Sequence, residues 1–248
     1  MCGICGCSDT NNHPNDVHHH HHHDHGHTVP IEQAIMAENH RYAAQNAAYF
    51  AQKNMLAINL MSSPGSGKTT LLSHTIAHLP KSTPAAIIVG DQQTDADAKQ
   101  LQQSGAQALQ INTGQVCHLD AHNLGHALQT MNLANNSLLF IENIGNLVCP
   151  ALFSLGEHRR IVILSVTEGE NKPLKYPDMF RIADLVLISK IDLLPYIDFD
   201  IDLCETYIKQ IQPNAAIIRL SSKSHDGMDL WLNWLQKAYK MRHAEQTI

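Results

Sequence analysis

Cys2, Cys5 and Cys7 put three of the chain's six cysteines within six positions of one another. Deprotonated, they offer three soft thiolates on a short peptide, and the nearby N-terminal amine could be a fourth donor. Four N/S donors in so short a segment favour tetragonal Ni(II) or tetrahedral Zn(II). A Cys-x-x-Cys redox pair is the competing reading, but the thioredoxin-like strand–turn–helix surround is absent. Residues 13–27 then hold nine of the eighteen histidines, six of them in the uninterrupted run His18–His23. Such an imidazole comb suits borderline ions such as nickel and zinc, and points to buffering of several ions rather than one defined site. A purification tag is the dull alternative. Against it, the run is internal, is bracketed by further histidines and has no cleavage site beside it.

A second chemistry follows in Ser62-Ser63-Pro64-Gly65-Ser66-Gly67-Lys68-Thr69-Thr70. Gly65 and Gly67 let backbone N–H groups, Ser66 among them, curl around phosphate oxygens. Lys68 brings an ammonium to the β/γ-phosphates, Thr69 can ligate Mg²⁺, and the helix opening at Thr70 adds its dipole. Ser62 stands where the usual first glycine would be. Asp91 and Glu142 each close an apolar run and are expected at strand C-termini, the ligand-binding edge of an open α/β sheet. Both are candidates for holding Mg²⁺ or positioning water, and with Lys68 they form the expected catalytic set.

Base choice rests on Ser189-Lys190-Ile191-Asp192. A carboxylate at Asp192 accepts hydrogen bonds from the ring N–H and exocyclic amino group of guanine, whereas adenine would leave it unpaired. Lys190 can lay its stem along the base. Ser221, Ser222 and Lys223 fit the small loop whose backbone N–H meets the guanine carbonyl. GTP is therefore expected over ATP. Within the same domain, Cys117, His118 and Cys149 each follow a strand and could converge as three metal ligands, leaving a position open for exchange or for a partner subunit. Buried inert cysteines are the ordinary alternative. Cys204 reads as a core thiol, and His40, His122, His126 and His225 read as surface residues rather than ligands.

The elements that must position these groups are visible as alternation. Short apolar runs at 56–61, 85–89, 108–111, 137–141, 161–166, 185–189 and 216–220 are expected strands, mostly separated by polar, helix-favouring segments. Strands this apolar, bounded by helices, predict an α/β fold of P-loop NTPase type, its mainly parallel sheet covered by helices on both faces. Residues 30–54 predict a helix with Pro30 near its first turn. Residues 1–29 hold almost no large apolar side chains and are expected as a disordered metal-binding tail, with residues 30–248 forming the nucleotide-binding domain.

Bulk properties exclude several classes. The 248 residues carry a net charge of −6, against the basic face of a nucleic-acid binder. No apolar run reaches the roughly 18–20 residues that span a bilayer, and no secretory signal is recognisable. A cytoplasmic protein is expected, with its thiols reduced.

Together SSPGSGKTTLL (62–72), GDQQTDADA (90–98), TGQVCHLDA (113–121), FIENIGNLVCP (140–150), TEGENKPLKYPDMF (167–180) and SKIDLLPY (189–196), with MCGICGC at the start, resemble the HypB family. These are GTPases and nickel metallochaperones of NiFe-hydrogenase maturation, in the SIMIBI branch of P-loop proteins. The resemblance implies slow GTP hydrolysis and a high-affinity nickel site at Cys2, Cys5 and Cys7. It implies a weaker nickel or zinc site at Cys117, His118 and Cys149, near or at a GTP-dependent homodimer interface. Its implied partners are a small nickel-binding accessory protein and the hydrogenase large-subunit precursor. The histidine tract matches the nickel-storage insert of some members only, and Ser189 replaces a common Asn, which weakens expected base binding. The neighbouring readings are a urease-type nickel-insertion GTPase and a nickel store with a passive G domain. An ATP-dependent kinase of related fold is a third, opposed by Ser-Lys-x-Asp.

Overall fold

Apolar alternation decides how the first strand sits. In β1 (Leu56–Ser62), Leu56, Ile58 and Leu60 enter one core cluster, while Ala57 and Met61 enter two clusters on the opposite face. All seven residues are buried, as a central strand requires. The computed structural model describes residues 28–91, 101–102, 105–114 and 118–244, with the side chains of 28–32 and 91 outside that description.

Six further strands join β1 in one parallel sheet: β2 (Ala85–Asp91), β3 (Gln107–Asn112), β4 (Leu138–Gly145), β5 (Arg159–Ser165), β6 (Leu185–Ser189) and β7 (Ala216–Arg219). Their order is β3-β2-β4-β1-β5-β6-β7. The chain winds outward first to one side of β1 and then to the other, which opens a crevice at the C-terminal edge beside β1.

Helices cover both faces. α1 (Thr28–Gln52) carries Pro30 in its first turn and packs with α3 (Ala121–Thr130), sending Phe50, Leu124 and Leu128 into one cluster. α2 (Lys68–His78) and α8 (Met228–Ala244) cover the opposite face. There the buried Trp231 donates from Nε1 to Thr75 Oγ1 at 2.8 Å. The short α4 (Cys149–Leu152), α5 (Lys172–Lys175) and α6 (Pro177–Arg181), with α7 (Ile201–Ile211), close the remaining half. Cys204 is wholly buried in α7, and burial pushes its thiol up to about 12, so it is a core thiol. Among the described residues no helix is long and apolar enough to cross a membrane.

Strand ends fall within one or two residues of the expected positions, except in β4. That strand continues past Glu142 to Gly145, so Glu142 lies inside the strand rather than at its end. The ladder tolerates the polar pair because Asn143, though buried, accepts at Oδ1 from the N–H groups of Leu119 and Ile144.

One buried group makes folding pH-dependent. His158 accepts the Ala57 N–H at Nδ1 (3.2 Å) with its ring 6.0 Å from that of Phe50. Burial foremost, then Arg242 and Arg159, push its pKa down to about 4 against the pull of Glu157. The unfolded chain therefore takes the proton first, near pH 6.5. Stability from neutral His158 is complete above that value and is lost as pH falls toward 4. Urea midpoints are expected to drop from pH 7 to pH 5, and to drop less in His158→Gln. An equal drop in both proteins would contradict this origin.

Candidate functional site: a phosphate loop and base cavity at the sheet edge

Between the end of β1 and the start of α2, the chain must turn within five residues. It does so with Gly65 at φ 72° and Gly67 at φ 99°, a left-handed region that strains any residue with a Cβ. Ser62, the last residue of β1, reaches into the turn: its Oγ accepts from Ser66 Oγ and from Lys68 Nζ, both at 2.6 Å, and donates to the Ser63 carbonyl at 2.7 Å. The Lys68 side chain is thereby held in the loop, the residue only 8% exposed. The serine in place of the usual first glycine thus fills the turn with a hydroxyl.

At the first turn of α2, Thr69 Oγ1 donates to Glu142 Oε1 at 2.7 Å, and Glu142 is 3% exposed. This bond ties the loop to β4. A second tie is steric: Gly145 pairs with Ser62 in the ladder, and a Cβ there would lie 2.9 Å from the backbone N and Cα of Pro64. Backbone cannot swing aside as a side chain can. Gly145→Ala is therefore expected to displace the loop and weaken binding of a fluorescent GDP analogue about tenfold, roughly 1.4 kcal/mol. Unchanged affinity would show that the loop tolerates the shift.

Next to the loop lies a cavity of about 270 Å³, lined by Ser66, Gly67 and Thr70 from the α2 end and by residues that follow β6 and β7. Ser189 Oγ donates to the Ser66 carbonyl at 2.8 Å, and Lys190 Nζ to the Gly65 carbonyl at 2.6 Å. Although shorter than Asn, Ser189 still ties its strand to the loop. Asp192 Oδ1 accepts from Ser221 Oγ at 2.6 Å, while that Oγ accepts from the N–H groups of Lys223 and Ser224 at 3.1 Å. Ser222 and Lys223 line the same cavity. Segments distant in sequence thus place hydroxyls, an ammonium and a carboxylate around one space. The arrangement suits a flat base with donors at its edge, beside a loop suited to phosphates.

The other expected ligands are placed in part. His118 is buried and stacks on Phe153, ring centroids 3.9 Å apart; burial lowers its pKa, with Asp120 opposing, so its imidazole is neutral at pH 7. Cys149 is buried at the start of α4. Cys117 lies outside the described residues, as do Cys2, Cys5, Cys7 and the histidine tract. Among the described residues no group of three or more His, Cys, Asp or Glu is placed to hold a metal. Asp91 is the last residue of β2, paired with Asn112, its side chain outside the description. Sequence reasoning passed over Asn143, whose Oδ1 joins β4 to Leu119, the residue after His118. Its signal was an uncharged polar residue directly after Glu142 in an otherwise apolar run.

Comparison with known proteins places these features in a family. A profile described as CobW/HypB/UreG, nucleotide-binding domain, matches residues 56–219. The chain is 55% identical over 207 residues to hydrogenase maturation factor HypB of Azotobacter vinelandii, covering 84% of this chain and 68% of that protein. It is 50% identical over 208 residues to the HypB of Escherichia coli strain K12, covering 84% and 72%. Among solved structures, HypB from Helicobacter pylori in complex with nickel aligns with a TM-score of 0.78 at 38% identity, covering 82% of this chain and 96% of that one. HypB from Archaeoglobus fulgidus aligns at 0.77 and 37%, covering 82% and 99%. The matched domain contains the phosphate loop, Glu142 and the Ser189–Asp192 segment, and identity reaches half or more across most of the sequence: the chain belongs to the HypB family of hydrogenase maturation factors.

Proposed function

We propose that this protein is a GTP-hydrolysing nickel metallochaperone that stores Ni(II) and delivers it for assembly of the NiFe-hydrogenase active site. One observation carries the reading: Thr69 of the phosphate loop is hydrogen-bonded to Glu142, on the strand that leads seven residues later to Cys149. A group that senses the γ-phosphate and a group that ligates nickel then share one segment. The kinship with a HypB solved in complex with nickel adds support.

In this reading the cavity holds guanine, with Asp192 accepting from its ring N–H and amino group and Lys190 lying along its face. Gly65, Ser66, Gly67 and Thr70 direct backbone N–H groups and a helix end toward the phosphates. Lys68 stabilises charge that grows on the β/γ-bridging region as the bond breaks. Thr69 and Glu142 are hard oxygen donors already in contact, a fit for Mg²⁺, and Asp91 closes the neighbouring strand. When bound, Mg²⁺ neutralises phosphate charge during transfer. Cys117, His118 and Cys149 hold nickel or zinc as exchangeable cargo, while Cys2, Cys5 and Cys7 form the tighter nickel site and the histidine tract buffers further ions. GTP orders the Glu142–Cys149 segment and favours a homodimer; hydrolysis relaxes it. A small nickel-binding accessory protein and the hydrogenase large-subunit precursor are the proposed partners.

Glu142→Gln tests the shared segment. The wild-type protein is expected to dimerise by light scattering with a non-hydrolysable GTP analogue and less so with GDP. The variant should bind GDP yet lose the difference. Dimerisation of the variant that still depends on nucleotide would overturn the proposed role of Glu142.

A further inference from the structure

Away from the nucleotide cavity, two exposed histidines meet on α3. His122 and His126 stand four residues apart, so they leave the helix on one side. Their Nε2 atoms lie 3.0 Å apart, with ring centroids at 4.5 Å. Two imidazole nitrogens bound to one ion at roughly 2.0–2.1 Å are separated by about 2.9–3.4 Å for angles between square and tetrahedral. The observed spacing falls within that bite.

The surroundings favour a ligand role. The pair opens on a cavity of about 350 Å³ beside α1, also lined by Tyr42, Gln45 and Gln129. The two amide oxygens and water are available to complete a coordination shell. Among the described residues no carboxylate lines the cavity, so Mg²⁺ and Ca²⁺, which need hard anionic oxygens, are poor occupants, whereas imidazole suits nickel and zinc. The frame is fixed: Asn46 Nδ2 donates to the carbonyls of Ala121 at 2.8 Å and Leu155 at 3.1 Å. A Cβ at Gly125 would stand 3.1 Å from Asn46 Oδ1, so a residue without a side chain lets α1 approach between the two histidines. Tyr42 packs on His122 with ring centroids at 4.5 Å.

We propose that His122 and His126 form an exchangeable site for a borderline divalent ion, Ni²⁺ or Zn²⁺, on the α1–α3 face. Its two ligands are residues other than Cys117, His118 and Cys149 and the N-terminal thiolates.

Because the full chain carries other ligands, the test must be read residue by residue. Diethylpyrocarbonate labelling of imidazoles, quantified by peptide mass spectrometry, is run on the full chain with and without Ni²⁺, and in a second arm Zn²⁺. Either ion is expected to suppress labelling of both His122 and His126 at least fivefold, with exposed His40 as the unprotected reference. In His122→Gln, His126 should lose its protection, because one imidazole cannot chelate. Circular dichroism of that variant checks that α3 persists. If it does not, a metal-dependent rise in the unfolding midpoint that is smaller in His126→Gln than in the wild type reads the same site. Equal labelling with and without both ions, or protection of His126 that survives His122→Gln, would leave a simple imidazole–imidazole hydrogen bond and overturn the proposal. These readouts are independent of GTP hydrolysis.

Discussion

Lys68→Ala is expected to lower GTP turnover about a thousandfold while leaving high-affinity nickel binding by Cys2, Cys5 and Cys7 unchanged. The first half follows from placement. The Lys68 Nζ is held inside the loop 2.6 Å from Ser62 Oγ, on a residue 8% exposed. A charge fixed there in advance stabilises developing phosphate charge without reorganising, and loss of one such group typically costs 10²–10³-fold, about 3–4 kcal/mol. Alanine also leaves Ser62 and Ser66 bonded to each other, so the loop need not collapse. The second half follows from the proposed modularity, in which Cys2, Cys5 and Cys7 supply a ligand set separate from the nucleotide loop. Phosphate release and nickel titration measure the two halves. Loss of tight nickel binding in the variant would mean that the tail site depends on the nucleotide domain.

Asp192→Asn should reduce GTP affinity about 10²–10³-fold, or 3–4 kcal/mol, and shift preference toward xanthosine triphosphate. Asp192 Oδ1 already accepts from Ser221 Oγ at 2.6 Å, which orients the carboxylate in the cavity. Replacing one oxygen with NH₂ sets a donor against guanine's donors, and each buried unpaired group carries its desolvation cost. Xanthine presents a carbonyl where guanine has its amino group, so the new donor finds an acceptor. Competition against a fluorescent GDP analogue reads both effects. Undiminished GTP affinity would remove Asp192 from base recognition.

Much of the fold was legible because a parallel sheet covered on both faces needs strands that are apolar throughout. Leu185–Ser189 is such a run, and the structure gives it the same limits. β4 was read short because Glu142 and Asn143 end its apolar stretch. Partners distant in sequence, the amide of Leu119 for Asn143 and the hydroxyl of Thr69 for Glu142, help to make it possible to bury them. The phosphate loop was legible as a local pattern, but Gly145 was not. Its need for no side chain arises from Pro64, some eighty residues earlier in the sequence. Nor did the local pattern reveal that the Ser189 hydroxyl reaches the Ser66 carbonyl, a contact with a residue far away in sequence. His122 and His126 are spaced like any surface pair, and their 3.0 Å approach depends on rotamers that spacing does not encode.

The central claim is that nucleotide state sets nickel affinity in the G domain. Its most direct test is calorimetric nickel titration of a Cys2/Cys5/Cys7→Ala variant, once with GDP and once with a non-hydrolysable GTP analogue. The account predicts a weaker site whose affinity differs between the two states by about 5–150-fold, the usual range for coupled sites. Equal affinities would contradict it, and would make this protein a nickel store whose G domain does not gate the metal.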